Sequence, residues 1–180
     1  MGQDHIMSVA SLVIREAHPA DARSVARVHV ESWRHAYRGI VPDTYLARLS
    51  IDRREALWHK SIVEGAPELW VASSNDDIVG WVALGQSRDE DTTPDVGEIW
   101  AIYVDPPHWQ RGIGKALWSQ ARQRLIARNY RAVMLWVLAE NTRAIEFYVS
   151  QGFAQGPAPV RVSERDGKQL VEARYDAKLI

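Results

Sequence analysis

The stretch Gln110-Arg111-Gly112-Ile113-Gly114-Lys115 carries the densest chemical signal in the sequence. Glycines at 112 and 114 let the backbone approach a bulky anion and aim successive N–H groups at it. A helix starting here adds the unpaired N–H groups and positive dipole end of its first turn. Arg111 and Lys115 add formal charge, and together these groups suit a diphosphate. Gly-x-Gly can also do no more than turn the chain into a helix, so the loop alone leaves both readings open. A Walker A loop needs a glycine where Trp109 stands and Ser or Thr where Ala116 stands. The dinucleotide fingerprint needs a third glycine where Leu117 stands. Neither ATP nor NAD is supported.

The elements around the loop are readable from pattern. Gly97 to Val104 is rich in Ile, Trp, Tyr and Val and is stopped by Asp105-Pro106-Pro107, as a strand would be. A helix is expected from about Gly112 to Asn129, with Leu117, Ala121 and Leu125 on one face. Ala132 to Leu138 reads as a buried strand, and Asn141 caps a helix to Gln151 that Gly152 ends. Upstream, Leu12 to Glu16 reads as a strand, followed by a helix from Ala22 to Tyr37 with Asp21 as its cap. A short helix from Pro42 to Leu49 and a third, capped by Asp52 and running to Glu64, come next. Glu68 to Ser73 and Ile78 to Gly85 read as a hairpin, Arg88 to Pro94 as a polar loop, and Pro159 to Ser163 and Leu170 to Ala177 as two more strands. The result is an α/β layer structure.

Composition sets the outer bounds. The 180 residues fit one domain, 11–180, preceded by residues 1–10 as a disordered start or expression remnant. The 22 basic and 23 acidic residues nearly cancel, so the totals favour neither nucleic acid nor membrane. No run of apolar residues is long enough to span a bilayer, and a cytoplasmic location is the default expectation. There is no cysteine, hence no thiol nucleophile or thiolate metal site, and no Gly-x-Ser-x-Gly elbow. His5, His18, His29, His35, His59 and His108 show no ligand spacing, so no metal is expected.

The run Glu98-Ile99-Trp100-Ala101-Ile102-Tyr103-Val104-Asp105-Pro106, then Gln110 to Leu117, resembles the cofactor-binding motif of the GNAT superfamily of N-acetyltransferases. A second motif of that family is matched by Leu135 to Tyr148, closing with Gly152-Phe153. The likeness is densest over 97–153 and looser at Trp33-Arg34 to Ile40 and at Glu172-Ala173-Arg174-Tyr175. One departure is Trp109, where the family usually has Gln or Arg.

The resemblance implies a single-domain fold with a mixed, mostly antiparallel sheet, splayed central parallel strands and helices on both faces. It implies acetyl-CoA as co-substrate, held by Ile102, Tyr103, Val104, Gln110, Arg111, Gly112, Ile113, Gly114, Lys115 and Asn141. It makes Glu98 the candidate base that deprotonates an amine and Tyr148 the candidate acid that protonates the departing thiolate. Trp33, Tyr37, Tyr45 and Trp100 are candidates for the acceptor side. The acceptor is an amine, on a small molecule, a protein N-terminus or a lysine. A monomer or homodimer is expected. The alternative is a non-catalytic acyl-CoA-binding sensor on the same fold.

Overall fold

In a computed structural model the described residues are 12–180; the expected start at 1–10 lies outside them. Alternating and runs-of-apolar segments become strands β1 (Leu12–Glu16), β2 (Glu68–Ser74), β3 (Asp77–Gln86), β4 (Val96–Val104), β5 (Ala132–Leu138), β6 (Ala154–Gln155), β7 (Arg161–Arg165) and β8 (Lys168–Lys178). The helices are α1 (Ala22–Ala36), α2 (Asp43–Ala47), α3 (Ile51–Glu64), α4 (Ile113–Ala127) and α5 (Thr142–Ser150). The strands form one sheet in the order β1-β2-β3-β4-β5-β8-β6, with β7 also paired to β8. Every pairing is antiparallel except β4 with β5.

That one parallel pair is short. β4 meets β5 only at Val96–Ala132, Gly97–Val133 and Glu98–Met134, and the strands then part. A bulge accompanies the parting: Leu84 pairs Ile99 and Ala83 pairs Ala101, so Trp100 is the extra residue. The splay therefore opens at the residues where the sequence places its motif.

Helices cover both faces. Val25, Val28, Trp81, Ala83 and Val71 make the core on the α1 and α3 side, and the Trp81 indole N–H donates to the Val25 carbonyl at 3.0 Å. Leu117, Ala121, Leu125, Val133, Leu135 and Tyr175 make the core on the α4 and α5 side. Gly80 permits this second layer to close. A Cβ there would lie 3.0 Å from the Tyr103 carbonyl and 3.2 Å from Leu117, so α4 rests directly on β3 backbone.

Two expected caps differ. Ser50, not Asp52, precedes α3: it is extended (φ −115°, ψ 123°) and its hydroxyl accepts from Arg53 N–H at 3.3 Å. Asp52 is inside the first turn and meets Arg23 at 3.2 Å instead. Asp21 is already helical and makes no cap bond. Its carboxylate holds Arg15 at 2.7 Å and the His18 N–H at 2.7 Å, fixing the turn between β1 and α1.

Candidate active site

A cleft of about 850 Å³ follows the splay, lined among others by Tyr37, Trp100, Ile102, Tyr103, Val104, Gln110, Gly112, Gly114, Lys115, Trp136, Asn141, Arg143 and Tyr148. Its floor is the unpaired edge of β4. Asp105 N–H bonds the Val79 carbonyl of β3 at 2.8 Å, so strand alternation turns the backbone groups of Val104 and Ile102 toward the gap. The Val104 carbonyl is already engaged, by the Ser32 hydroxyl at 3.0 Å and the Trp109 indole at 2.6 Å. Trp109 thus closes the end of β4, with Arg143 stacked on its ring at 3.2 Å and His35 edge-on at 4.9 Å.

At one end of the cleft the chain turns sharply into α4. Gln110 (φ 60°) and Gly112 (φ 79°, ψ 0°) both adopt left-handed backbone, and Gly112 is the N-cap. Gly112 therefore earns its place by conformation: nothing lies within 4 Å of where its Cβ would be. At Gly114 a Cβ would make only ordinary contact, with the Phe147 ring of α5 at 3.4 Å, so neither space nor conformation demands glycine there. The first-turn N–H groups of α4 have no intrahelical partner and face this end. Lys115 lines the cleft, whereas Arg111 is exposed just outside it. Asn141 caps α5, accepting from Ala144 N–H at 3.3 Å.

The middle of the splay is tyrosine-rich. Tyr148 reaches in from α5, and Tyr37 and Tyr103 reach in from the α1 side. Burial, with the Tyr103 charge adding to it, raises the Tyr148 pKa, so its hydroxyl keeps its proton at neutral pH. Burial likewise raises Tyr103 and pushes Tyr37 well up. The Tyr103 oxygen accepts from the Trp33 indole at 2.9 Å. Trp33 thus supports the cleft from behind and does not line it, and Tyr45 packs beside it in the same cluster. His29 stacks on Tyr103 at 5.1 Å and accepts from the Trp58 indole at 3.0 Å.

At the far end, two tryptophans and two arginines face one another across the splay. Arg88 lies 4.0 Å over Trp100 and Arg161 lies 3.8 Å over Trp136. Each arginine is anchored by a buried carboxylate. Glu98, 1% exposed, takes the Arg88 backbone N–H at 2.9 Å and its guanidinium on both oxygens. Asp89 binds Arg161, Arg174 (3.3 Å) and the Trp136 indole (3.0 Å). Glu98 is close to the splay but does not line the cleft. Beyond the C-terminal end of β5, α2 and the loop before it are tied to the β7–β8 turn by Thr44 and Arg48 on Asp166, each at 2.6 Å, and by Lys168 on the Ile40 carbonyl at 2.6 Å.

His35, Trp136 and Arg143 line the cleft without having been singled out from sequence, and Arg88 and Arg161 join them at its edge. Trp136 and Arg143 stand inside the second motif, whose spacing marks the segment but not which side chains turn inward. Arg88 lies in a polar loop with no periodicity to read.

A parallel strand pair that parts at a bulge, floored by free backbone and ending on a left-handed turn into a helix, defines the architecture of an acyl-CoA-handling transferase fold. Residues 30–153 match the acetyltransferase (GNAT) family, and the chain belongs to that family of N-acetyltransferases. It is 30% identical over 154 residues to an uncharacterised N-acetyltransferase of Bacillus subtilis (strain 168), YuaI, covering 85% of this chain and 83% of that one. Its fold is similar to PaiA N-acetyltransferase from Thermoplasma acidophilum, solved in complex with coenzyme A (TM-score 0.73, 21% identity, 93% of this chain and 99% of that one). It is also similar to yncA of Salmonella typhimurium, solved with acetyl-CoA (TM-score 0.71, 20% identity, 94% of both chains). Among the described residues no helix is long and apolar enough to cross a membrane, and no group of three or more His, Cys, Asp or Glu is placed to hold a metal.

Proposed function

We propose that the protein transfers an acetyl group from acetyl-CoA directly to an amine, both bound at once in the splay. The observation that carries this is the unpaired β4 edge running from the bulge at Trp100 to the left-handed turn at Gly112. When bound, acetyl-CoA supplies a thioester carbonyl for the amine to attack and a thiolate to leave. The residues present fit it. The turn into α4, Gln110 to Lys115, offers N–H groups and one lining cation to a diphosphate. Ile102 and Val104 offer strand-like groups to an extended chain with amides, Val104 chiefly its N–H because its carbonyl is engaged.

Tyr148 is the proposed acid. Its raised pKa makes complete transfer to a thiolate of pKa roughly 8–9 uphill, so the hydroxyl works first as a hydrogen-bond donor that stabilises developing charge. Glu98 is the proposed base. Because Arg88 holds both its oxygens and the side chain does not reach the cleft wall, it would act through water. The absence of cysteine is consistent with direct transfer.

The test is an amine panel of polyamines, amino acids, and peptides with free N-termini or lysines, read by thiol release. Intersecting initial-rate lines are expected, as for a ternary complex. Thiol release from no amine would sink the transferase reading in favour of a sensor; parallel lines would sink direct transfer.

A further inference from the structure

The mouth of the splay is framed by two tryptophans, each carrying an arginine. Ile99 of β4 and Val133, Leu135 and Val137 of β5 pack into the core under α4 and α5. Strand alternation therefore sends Glu98 and Trp136 to the α1 face of the sheet. The bulge puts Trp100 on that face too, packed against the core beneath α1 and α3. Glu98 and Met134 are the last parallel pair, and Trp100 and Trp136 stand two residues further on, one on each parting strand. Both rings line the cleft.

Each guanidinium comes from another part of the chain to reach its ring. Arg88, in the loop between β3 and β4, lies 4.0 Å over Trp100. Arg161 of β7 is opposite Glu172 of β8 in register, yet its ion pair is with Asp89 and its guanidinium lies 3.8 Å over Trp136, on the far side of β8. Buried carboxylates fix both: Glu98 takes Nε and Nη2 of Arg88, and Asp89 takes Nη2 of Arg161 together with the Trp136 indole. Nη1 of Arg88, and Nε and Nη1 of Arg161, have no protein partner among the described residues, and the two side chains are 52% and 48% exposed. A guanidinium held along one edge and over one face has already lost the rotamer freedom that binding an anion would cost. Its open N–H groups match the spacing of carboxylate oxygens. The cofactor diphosphate is not the anion for this place. From Trp100 to Val104, where Trp109 closes the strand, β4 runs about 13 Å, and the turn into α4 lies beyond.

We propose that Arg88 and Arg161 bind a carboxylate of the acceptor, so that the substrate is an amino acid, carrying the reacting amine and an acid group on one small molecule. This rests on the transferase reading and supplies the acceptor class which that reading leaves open. The carboxylate takes the open N–H groups of the guanidiniums, the carbon chain lies between the Trp100 and Trp136 rings, and the amine points into the splay toward Tyr148. Glu98 and Asp89 hold the two guanidiniums in place for this. A polyamine brings only positive charge to this end of the cleft and meets two cations there.

The test uses the full chain and pairs each L-amino acid of the panel with its α-amide, which keeps the amine and drops the negative charge. For the most active amino acid, kcat/KM should exceed that of its amide at least tenfold. The amide's amine is the less basic of the two, so any bias from ionisation runs against that result. Arg161→Gln, which leaves the Arg88–Glu98 pair in place, should cut the ratio at least fivefold. Independently of turnover, and of whether the variant folds, calorimetric titration of the wild-type CoA complex should show the N-acetylated amino acid binding at least fivefold tighter than its amide. A wild-type preference under tenfold, a smaller cut in the variant, a gap in product binding under fivefold, or a polyamine preferred over every amino acid would each overturn the carboxylate site and leave the transferase reading intact. Thiol release from no amine overturns both.

Discussion

At the Gly112 end of the cleft the groups that face a ligand are main-chain N–H and carbonyl groups of β4 and the first turn of α4. At the Trp100–Trp136 end they are side chains: aromatic rings with arginines stacked on them, fixed by buried Glu98 and Asp89. The first end is set by local conformation, one left-handed glycine and one unpaired strand edge. The second is set by contacts between residues far apart in the chain, such as Asp89 with Arg161 and Arg174. A cofactor shared across a family can be met by backbone, which tolerates sequence change. An acceptor that differs between members must be met by side chains, and these can be exchanged one at a time.

Substitutions can break this contrast, and the largest effect is expected at the side-chain end. Asp89→Asn removes the charge that anchors Arg161 and Arg174 and should cost about 3 kcal/mol of stability, read by denaturant unfolding. A cost under about 0.5 kcal/mol would mean that the network does not hold the β3–β4 loop. Tyr148→Phe, at the junction of the two halves, should lower kcat by about a hundredfold with acetyl-CoA affinity nearly unchanged. Unchanged turnover would remove Tyr148 from the chemistry.

A pH titration sharpens the comparison. Burial, helped by the charge of Arg54, lowers the His29 pKa to about 3, below an unfolded value near 6.5. Between those values the unfolded chain binds a proton that the folded chain refuses. Stability should therefore fall by up to roughly 1.4 kcal/mol per unit as pH drops from about 6.5 toward 3. His29→Phe should flatten that stretch; an unaltered slope would assign the proton elsewhere. Glu68 acts in a lower window. Burial opposes its charged form, but bonds from Arg124 and Trp70 and the charge of Arg128 outweigh it and hold its pKa below the usual carboxylate range. Its contribution is present above the unfolded pKa of about 4.3 and is lost as pH falls through the folded value.

The smallest effects belong to the backbone end. Gly112→Ala forces a Cβ into left-handed backbone and should cost about 1–2 kcal/mol, largely as weaker acetyl-CoA binding. Gly114→Ala makes ordinary contacts, with the Phe147 ring at 3.4 Å and Val104 at 4.0 Å, and should change affinity less than threefold. Reversal of that order would show that the loop works through space, not conformation.

The same contrast explains what was legible in the sequence. The strand at 132–138, the cap at Asn141 and the turn at Gly112 follow from local pattern, and the structure has each of them. The cap of α3 was readable too, since Ser50 directly precedes the helix, but Asp52 competes with it for any eye seeking an acidic start. Two-residue β6 was too short to leave a period. The Arg88–Glu98 and Asp89–Arg161 pairs were not legible, because ion pairs across loops leave no spacing behind. Glu98 could be named only through the family resemblance; that both its oxygens would be taken by Arg88 could not be read at all.

The central claim is that the backbone-built half of the cleft binds acetyl-CoA. Thermal unfolding with and without it tests that most directly. At 100 times the dissociation constant the ligand should add about 2.7 kcal/mol, a rise in midpoint of roughly 5–11 °C for a domain of this size. No shift at millimolar acetyl-CoA would contradict the account.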